Sequence, residues 1–232
     1  MTVDPAREAG PPAPSGGRTF HARGGRLGPA RRARLDEALV GLAPAELPRG
    51  APAWRLCGRQ APTLVEIGCG RGEAALHFAR AHLDWNVVAL DVHRGGLAHL
   101  VAVLADLGDA DRPPGLRVAR ADALVLLAGL EDRSVDVIRA LFPDPWPKRK
   151  HHHRRLVQAR HVALLVSKLR VGGRLEVATD HGDYAQQMRR VLDAEPHLSG
   201  GSVGRRDRPT TYYEARALAA GRSVTDLSYR RR

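Results

Sequence analysis

From residue 63 to residue 193 the chain alternates short apolar runs with stretches of helical spacing, and no other feature limits its fold so tightly. Residues 63–67, 87–90, 116–119, 135–140 and 174–179 have the length and β-branched content of buried strands. The periodicity between and after them predicts helices over 72–82, 94–107, 123–130, 153–169 and 184–193. Such alternation predicts an α/β domain: a mostly parallel twisted sheet with helices on both faces. Beyond about His197 the pattern weakens, with 224–229 read as a final strand and 210–220 as a short helix or ordered loop. Upstream, Leu35, Ala38, Leu39 and Leu42 give 30–42 a helical spacing and a face to pack on the main domain. Residues 43–61, broken by Pro44, Pro48 and Pro52, read as a linker.

Open sheets of this kind bind ligands beyond the carboxyl ends of their strands, so the residues there matter most. Glu66-Ile67-Gly68-Cys69-Gly70-Arg71-Gly72 follows the first strand and opens the first helix. Glycine at those positions lets the backbone turn tightly and lie against a ligand. The spacing is G-x-G-x-G, whereas dinucleotide sites prefer G-x-G-x-x-G, with pyrophosphate at the helix N-terminus. Glu66 so close to the loop would repel a pyrophosphate and suits an ammonium or a sulfonium. A glycine-rich turn alone is weak evidence, because many βα turns use one. Asp91 ends the second strand, where a carboxylate can accept both hydroxyls of a ribose. Asp122 follows the third strand, and its plain reading is a helix N-cap. Three acids at three successive strand ends weigh more than any one of them.

After the fourth strand comes Phe142-Pro143-Asp144-Pro145-Trp146-Pro147-Lys148-Arg149-Lys150, continuing through His151-His152-His153-Arg154-Arg155-Leu156. Prolines at alternate positions rule out a helix and an interior strand, since each lacks a donor and fixes φ. The residue before each proline is biased toward extended geometry. Asp144, Trp146 and Lys148 are therefore expected on a stiff loop at a strand's C-terminal end. The plain alternative is a rigid surface turn. Asp180, which ends the next strand, is expected to face the same crevice.

This run resembles the FPDPWPK-K/R-RH-x-K/R-RR signature of the tRNA (guanine-N7-)-methyltransferase family, and further pieces match along the chain. The glycine loop resembles the first motif of Rossmann-like methyltransferases. Asp91-Val92-His93 stands where the family has EVH, one methylene shorter at the acid, and Ala121-Asp122-Ala123 resembles its D-A element. Ala178-Thr179-Asp180 resembles a TD followed by an aromatic, with His181 in the aromatic's place. Arg208-Pro209-Thr210-Thr211-Tyr212-Tyr213-Glu214 resembles RP-x-T-K-[FY]-E, with Tyr212 in place of the lysine. Arg18-Thr19-Phe20, Arg23 and Gly25-Arg26 resemble the N-terminal RSF…R.GR segment, and residues 221–227 the tail. The resemblance implies a class I, Rossmann-like methyltransferase that moves a methyl group from S-adenosylmethionine to N7 of a guanine in the tRNA variable loop. It implies cofactor contacts from Glu66, Gly68, Gly70, Gly72, Asp91, Asp122 and Asp144, with Asp122 at the adenine and Asp144 catalytic. Substrate contacts are implied for Lys148, Asp180, Thr211, Tyr212, Tyr213 and Glu214.

Composition fits that expectation. The 232 residues suffice for one α/β domain with appendages. The formal charge of +12, from 37 basic and 25 acidic residues, favours a polyanionic partner. Of the basic residues only Lys148, Lys150 and Lys168 are lysines, and two of these fall in the proline-rich run, which points to a use there for a compact ammonium rather than a planar guanidinium. No uncharged apolar run approaches the roughly 20 residues of a membrane span. With no secretory h-region at its start the chain is expected to be cytoplasmic and away from membranes. No obligate protein partner is evident.

Residues 1–34 carry seven arginines against Asp4 and Glu8 and are expected to form a basic, largely flexible arm. It either orders on RNA or stays a solvated tail. The resemblance implies a single methyltransferase domain over residues 35–232. Cys57 and Cys69 are too few for a disulfide scaffold or a cysteine-built zinc site. His151, His152 and His153 cannot share one helical face, so no metal is expected there. They are read instead as part of an RNA-facing basic helix start with Lys148, Arg149, Lys150, Arg154 and Arg155. Two rivals remain. A different methyltransferase would leave the 142–156 run unexplained, and a non-catalytic RNA-binding module would leave the strand-end acids without a task.

Overall fold

A computed structural model of the chain describes residues 19–20, 28–108, 111–205 and 208–232. The apolar runs form strands β1 (Thr63–Ile67), β2 (Asn86–Asp91), β3 (Leu116–Arg120), β4 (Val135–Leu141) and β5 (Leu169–Thr179). They pair in parallel in the order β3-β2-β1-β4-β5. Beyond β5, strand β7 (Thr225–Arg231) runs antiparallel between β5 and the edge strand β6 (Leu198–Val203). The helices are α1 (Pro29–Leu42), α2 (Glu73–Ala81), α3 (Arg94–Asp106), α4 (Ala123–Gly129), α5 (Ala159–Lys168), α6 (Gly182–Asp193) and α7 (Tyr212–Ala219).

Although the strands read as continuous apolar runs, they sort by alternation. Leu64, Val87, Ala89 and Val137 meet Leu35 of α1, Phe78 of α2 and Leu100 of α3 on one face. Val65, Val88, Leu90 and Ile138 meet Leu127 of α4, Leu165 of α5 and Met188 of α6 on the other. Both faces are covered, as a parallel sheet requires. The chain reverses its progress across the sheet at β1, flanked by β2 and β4, and this places the ligand crevice at their C-terminal ends.

Two expectations need correction, and one strand was not expected. The helix expected over 153–169 starts only at Ala159, and Arg149–Arg154 form a 3-10 segment ahead of it. The interval is held in another conformation by side chains: Val157 N–H donates to Tyr184 Oη at 3.0 Å. The Gln158 amide also donates to the carbonyls of His153 and Arg155, at 2.6 and 2.7 Å. The supposed linker over 43–61 is partly core, since Ala53–Cys57 form a 3-10 turn with Ala53, Leu56 and Cys57 buried. Finally, β6 carries no strand signal in Leu-Ser-Gly-Gly-Ser-Val and exists because β7 supplies a partner. Gly200 lets the two backbones meet: a Cβ there would stand 2.2 Å from the Ser228 carbonyl oxygen.

Most of the arm expected over residues 1–34 lies outside the described residues, including Arg18, Arg23, Gly25 and Arg26. Thr19 and Phe20 are described, and residues 29–34 belong to α1.

Candidate active site

The C-terminal ends of β1 to β5 open onto a cavity of about 390 Å³, walled by the loops that follow them together with Tyr213 of α7 and the Thr19-Phe20 pair. Of the residues expected at a cofactor, Gly68, Gly70, Asp91, Asp122 and Asp144 stand in this wall. Gly68 and Gly70 have φ of 69° and 56°, a region open to glycine at little cost. A Cβ on Gly70 would come 3.0 Å from the Tyr213 ring, so the loop is pressed between that ring and the sheet. Asp91 fixes the loop from the next strand. Its Oδ2 accepts from Gly70 N–H at 2.8 Å and its Oδ1 from His93 N–H at 2.7 Å. Burial pushes the Asp91 carboxyl up, and those amide donors oppose the shift. Asp122 caps α4, accepting from Leu124 N–H at 2.9 Å while facing the cavity, so its two readings coexist.

The other two residues of that group lie elsewhere. Gly72 has φ of 76° and turns toward α3, where a Cβ would meet Leu100 Cδ2 at 2.5 Å. It serves helix packing. Glu66 is 2 % exposed and lies within the sheet, beside Arg139 of β4 at 3.8 Å. Arg139 gives its hydrogen bonds to Glu176 of β5, at 3.0 and 2.9 Å, and none reaches Glu66 Oε2. Burial therefore outweighs the ion pair, and with Glu176 and Glu73 adding repulsion it pushes Glu66 up to about 7. The native state then holds a proton that the unfolded chain, with an ordinary carboxyl near 4.5, releases first. Stability from this group is full below that ordinary value and is lost as pH rises through about 7. Glu66→Gln is expected to flatten this slope, so that its melting temperature gains on wild type by about 5 °C between acid and neutral pH. Thermal melts across that range check it, and a gap that stays constant with pH would show that the Glu66 carboxyl titrates alike in the folded and the unfolded chain.

The proline-rich loop is stiff, as expected, but it does not display all that was expected of it. Phe142 and Trp146 sit at φ of 53° and 44°, positions costly for aromatic side chains. Three contacts hold the strained turn. Phe142 N–H donates to the Ala178 carbonyl at 2.8 Å. Arg155 Nε donates to the Pro145 carbonyl at 2.8 Å. Trp146, only 5 % exposed, donates from its indole to the Thr19 carbonyl at 3.2 Å. Trp146 is thus a buried anchor, where display on the surface was expected. Arg155 is corrected likewise: read as part of an RNA-facing cluster, it is fully buried. It binds Gln187 and Asp183 at 2.5 Å each and lies over the Tyr184 ring. Its basic neighbours in sequence concealed this, because the burying groups come from α6. Lys148 stands exposed, outside the cavity wall.

Of the residues expected at the substrate, Asp180 and Tyr213 stand in the wall together with Asp144. Arg222 donates to Asp180 at 2.7 Å. Thr211 and Glu214 support the wall from behind. Thr211 Oγ1 accepts from Glu214 N–H at 3.3 Å and caps α7. The buried Glu214 carboxylate binds Arg208 and, at 2.6 Å, Arg205. Burial would raise Glu214, but the two guanidiniums outweigh it and hold the carboxyl below its ordinary value. Arg208 also binds Asp226 at 2.8 Å and lies over the Phe142 ring, tying α7 and β7 to the proline-rich loop. Tyr212 lies at the rim, with 37 % of it exposed. His181 precedes α6, its N–H on Thr179 Oγ1 at 3.2 Å. Among the described residues no group of three or more His, Cys, Asp or Glu is arranged to hold a metal ion.

Sequence reasoning missed Gly96 in the first turn of α3, although the pair Gly95-Gly96 inside a helix was a visible signal. A Cβ on Gly96 would stand 2.3 Å from the Gly70 carbonyl oxygen.

The cavity accommodates S-adenosylmethionine by this structure's own features. Two backbone turns carry glycine where a side chain would be strained, a carboxylate ends the second strand, and acids line the walls. Comparisons with known proteins point the same way. Residues 60–227 match the family model described as "Putative methyltransferase". A tRNA (guanine-N(7)-)-methyltransferase of Nocardioides sp. is 44 % identical over 78 % of this chain and 73 % of its own length. One from Alkalilimnicola ehrlichii is 39 % identical over 93 % and 92 %. Among solved structures, the 16S rRNA methyltransferase KamB superposes with a TM-score of 0.56 at 16 % identity, over 80 % of this chain and all of its own. The [4+2]-cyclase SpnF reaches 0.51 at 15 %, over 87 % and 92 %, so the fold by itself does not decide the chemistry.

Proposed function

Because the chain belongs to the tRNA (guanine-N(7)-)-methyltransferase family, we propose that the guanine it methylates lies in the variable loop of tRNA, with Asp144 and Asp180 at the base. The enzyme is S-adenosylmethionine-dependent and transfers a methyl group to N7 of guanine in tRNA. What carries the assignment of residues is a single cavity whose wall holds Gly68, Gly70, Asp91 and Asp122 on one side and Asp144, Asp180 and Tyr213 on the other.

Gly68 and Gly70 offer backbone to the bound donor, Asp91 its ribose contact and Asp122 its adenine contact. When bound, S-adenosylmethionine supplies an electrophilic methyl group on a sulfonium. N7 of an unpaired guanine carries a lone pair and no proton, so the residues need supply no general base. Their work is alignment, which lowers the barrier by holding the reacting atoms in line. Positive charge develops on the purine as the bond to N7 forms. The Asp144 carboxylate, fixed by the proline-rich loop, offsets that charge. Asp180, whose charge is shared with Arg222, orients the base through its hydrogen-bond donors. An unstacked loop nucleotide fits such a cavity better than a base within a helix.

The net charge of +12 supports a tRNA partner. A tRNA substrate also supports placement in the cytoplasm. No described helix is long and apolar enough to cross a membrane. The loop assignment is tested by chain cleavage at 7-methylguanosine in tRNA transcripts treated with the enzyme. Cleavage is expected at the variable-loop guanine and is expected to vanish when that guanine is replaced by adenine. Cleavage elsewhere would overturn it.

A further inference from the structure

Beside the cavity mouth the structure holds a stack that the methyl transfer does not use. Arg71, between Gly70 and Gly72, lays its guanidinium over Tyr212 with Cζ 4.0 Å from the ring centroid. Arg216, one turn further along α7, approaches the same ring at 5.7 Å. Tyr212 meets Tyr213 edge-on, the centroids 5.5 Å apart, and Tyr213 and Arg216 both reach the cavity wall. The two tyrosines stay 37 % and 52 % exposed. Among the described residues neither Arg71 nor Arg216 is paired with a carboxylate, although Arg222 nearby is bound to Asp180.

An aromatic face under a guanidinium restrains it without using its edge, where the N–H donors lie. Such a group loses less freedom when its fork closes on two oxygens of a phosphate. Two of them around one ring make a preformed anion site. A guanine entering the cavity brings its own backbone to the mouth, so the phosphodiester beside it must pass this rim.

Resting on the tRNA reading above, we propose that Arg71, Tyr212 and Arg216 form a clamp for the phosphate of the nucleotide next to the target guanine. The clamp lies on the glycine loop, which walls the cofactor side of the cavity, and on α7, whose Tyr213 walls the substrate side. It grips substrate backbone and leaves recognition of the base to the cavity wall.

The test measures tRNA affinity against salt for wild type, Arg71→Ala, Tyr212→Phe and Tyr212→Leu, with S-adenosylmethionine affinity and melting temperature measured in parallel. Arg71→Ala is expected to weaken tRNA binding about tenfold near 0.1 M salt and to lower the slope of log K against log salt by about 0.7–0.9, the contribution of one phosphate. Cofactor affinity and melting temperature are expected to hold. Tyr212→Phe keeps the ring and should behave as wild type, whereas Tyr212→Leu should lose part of the affinity by freeing the guanidinium. A tRNA with a neutral methylphosphonate beside the target guanine should bind wild type at least as poorly as native tRNA binds Arg71→Ala, because both arginines grip that phosphate, and combining it with Arg71→Ala should cost less than the sum of the two losses. An unchanged salt slope in Arg71→Ala, or losses that add between variant and modified tRNA, would overturn the clamp. These readings need no turnover. If the wild-type enzyme forms no 7-methylguanosine, the assigned reaction fails instead, and the slopes still decide the clamp.

Discussion

Asp144→Asn is expected to lower kcat on the order of 10²-fold, about 2.7 kcal/mol of transition-state stabilisation, while tRNA affinity changes little. Three features meet at this residue. It faces the cavity from a turn with strained φ at Phe142 and Trp146, and that turn is held by Arg155 and the Ala178 carbonyl. Its carboxylate is therefore positioned before substrate arrives. Burial raises the Tyr213 phenol, and the charges of Asp91 and then Asp144 add to the shift, so the charge of Asp144 reaches that ring. The asparagine keeps shape and hydrogen bonding but removes the charge where the purine becomes positive. Single-turnover rates at saturating tRNA and S-adenosylmethionine give the comparison. A near wild-type rate would reduce Asp144 to a loop-ordering residue and pass the role to Asp180.

Two adjacent glycines should respond in opposite ways. Gly96→Ala would bring a methyl group to 2.3 Å from the Gly70 carbonyl oxygen and 2.6 Å from its carbon, and backbone cannot swing aside as a side chain can. Relief requires Gly70 to move, which breaks its N–H bond to Asp91 and shifts the wall on the cofactor side. S-adenosylmethionine affinity is expected to fall at least about tenfold, with about 1–3 kcal/mol of stability lost to overpacking. At Gly95 a Cβ meets nothing within 4 Å. Gly95→Ala should bind cofactor as wild type does and gain about 0.5–1 kcal/mol from helix propensity. Calorimetric titration and melting of the pair decide the point. Equal cofactor affinity in the two variants would mean that α3 does not set the loop.

How far such behaviour could be read from the sequence depended on whether its cause was local. The five parallel strands and most helices declared themselves, because a strand buried on both faces leaves an unbroken apolar run. Asp91, Asp122, Asp144 and Asp180 were legible as strand-end acids, and all reach one cavity. What escaped was set by distant partners. Arg155 has the composition of a surface cation and is buried by Tyr184, Asp183 and Gln187 of α6. Glu66 looked like a cofactor ligand from its place two residues before Gly68, yet strand alternation turns it toward Arg139. From sequence alone Trp146 reads as free for display, but its indole is taken by the Thr19 carbonyl far along the chain. The strand β6, with paired glycines and serines, is specified by the edge it completes.

Methyl transfer itself is tested by incubating the protein with unmodified bulk tRNA and S-adenosylmethionine labelled in its methyl group. The tRNA is then digested and its nucleosides separated. The label is expected in 7-methylguanosine. Label confined to another nucleoside, or none in tRNA although the protein binds S-adenosylmethionine, would contradict it.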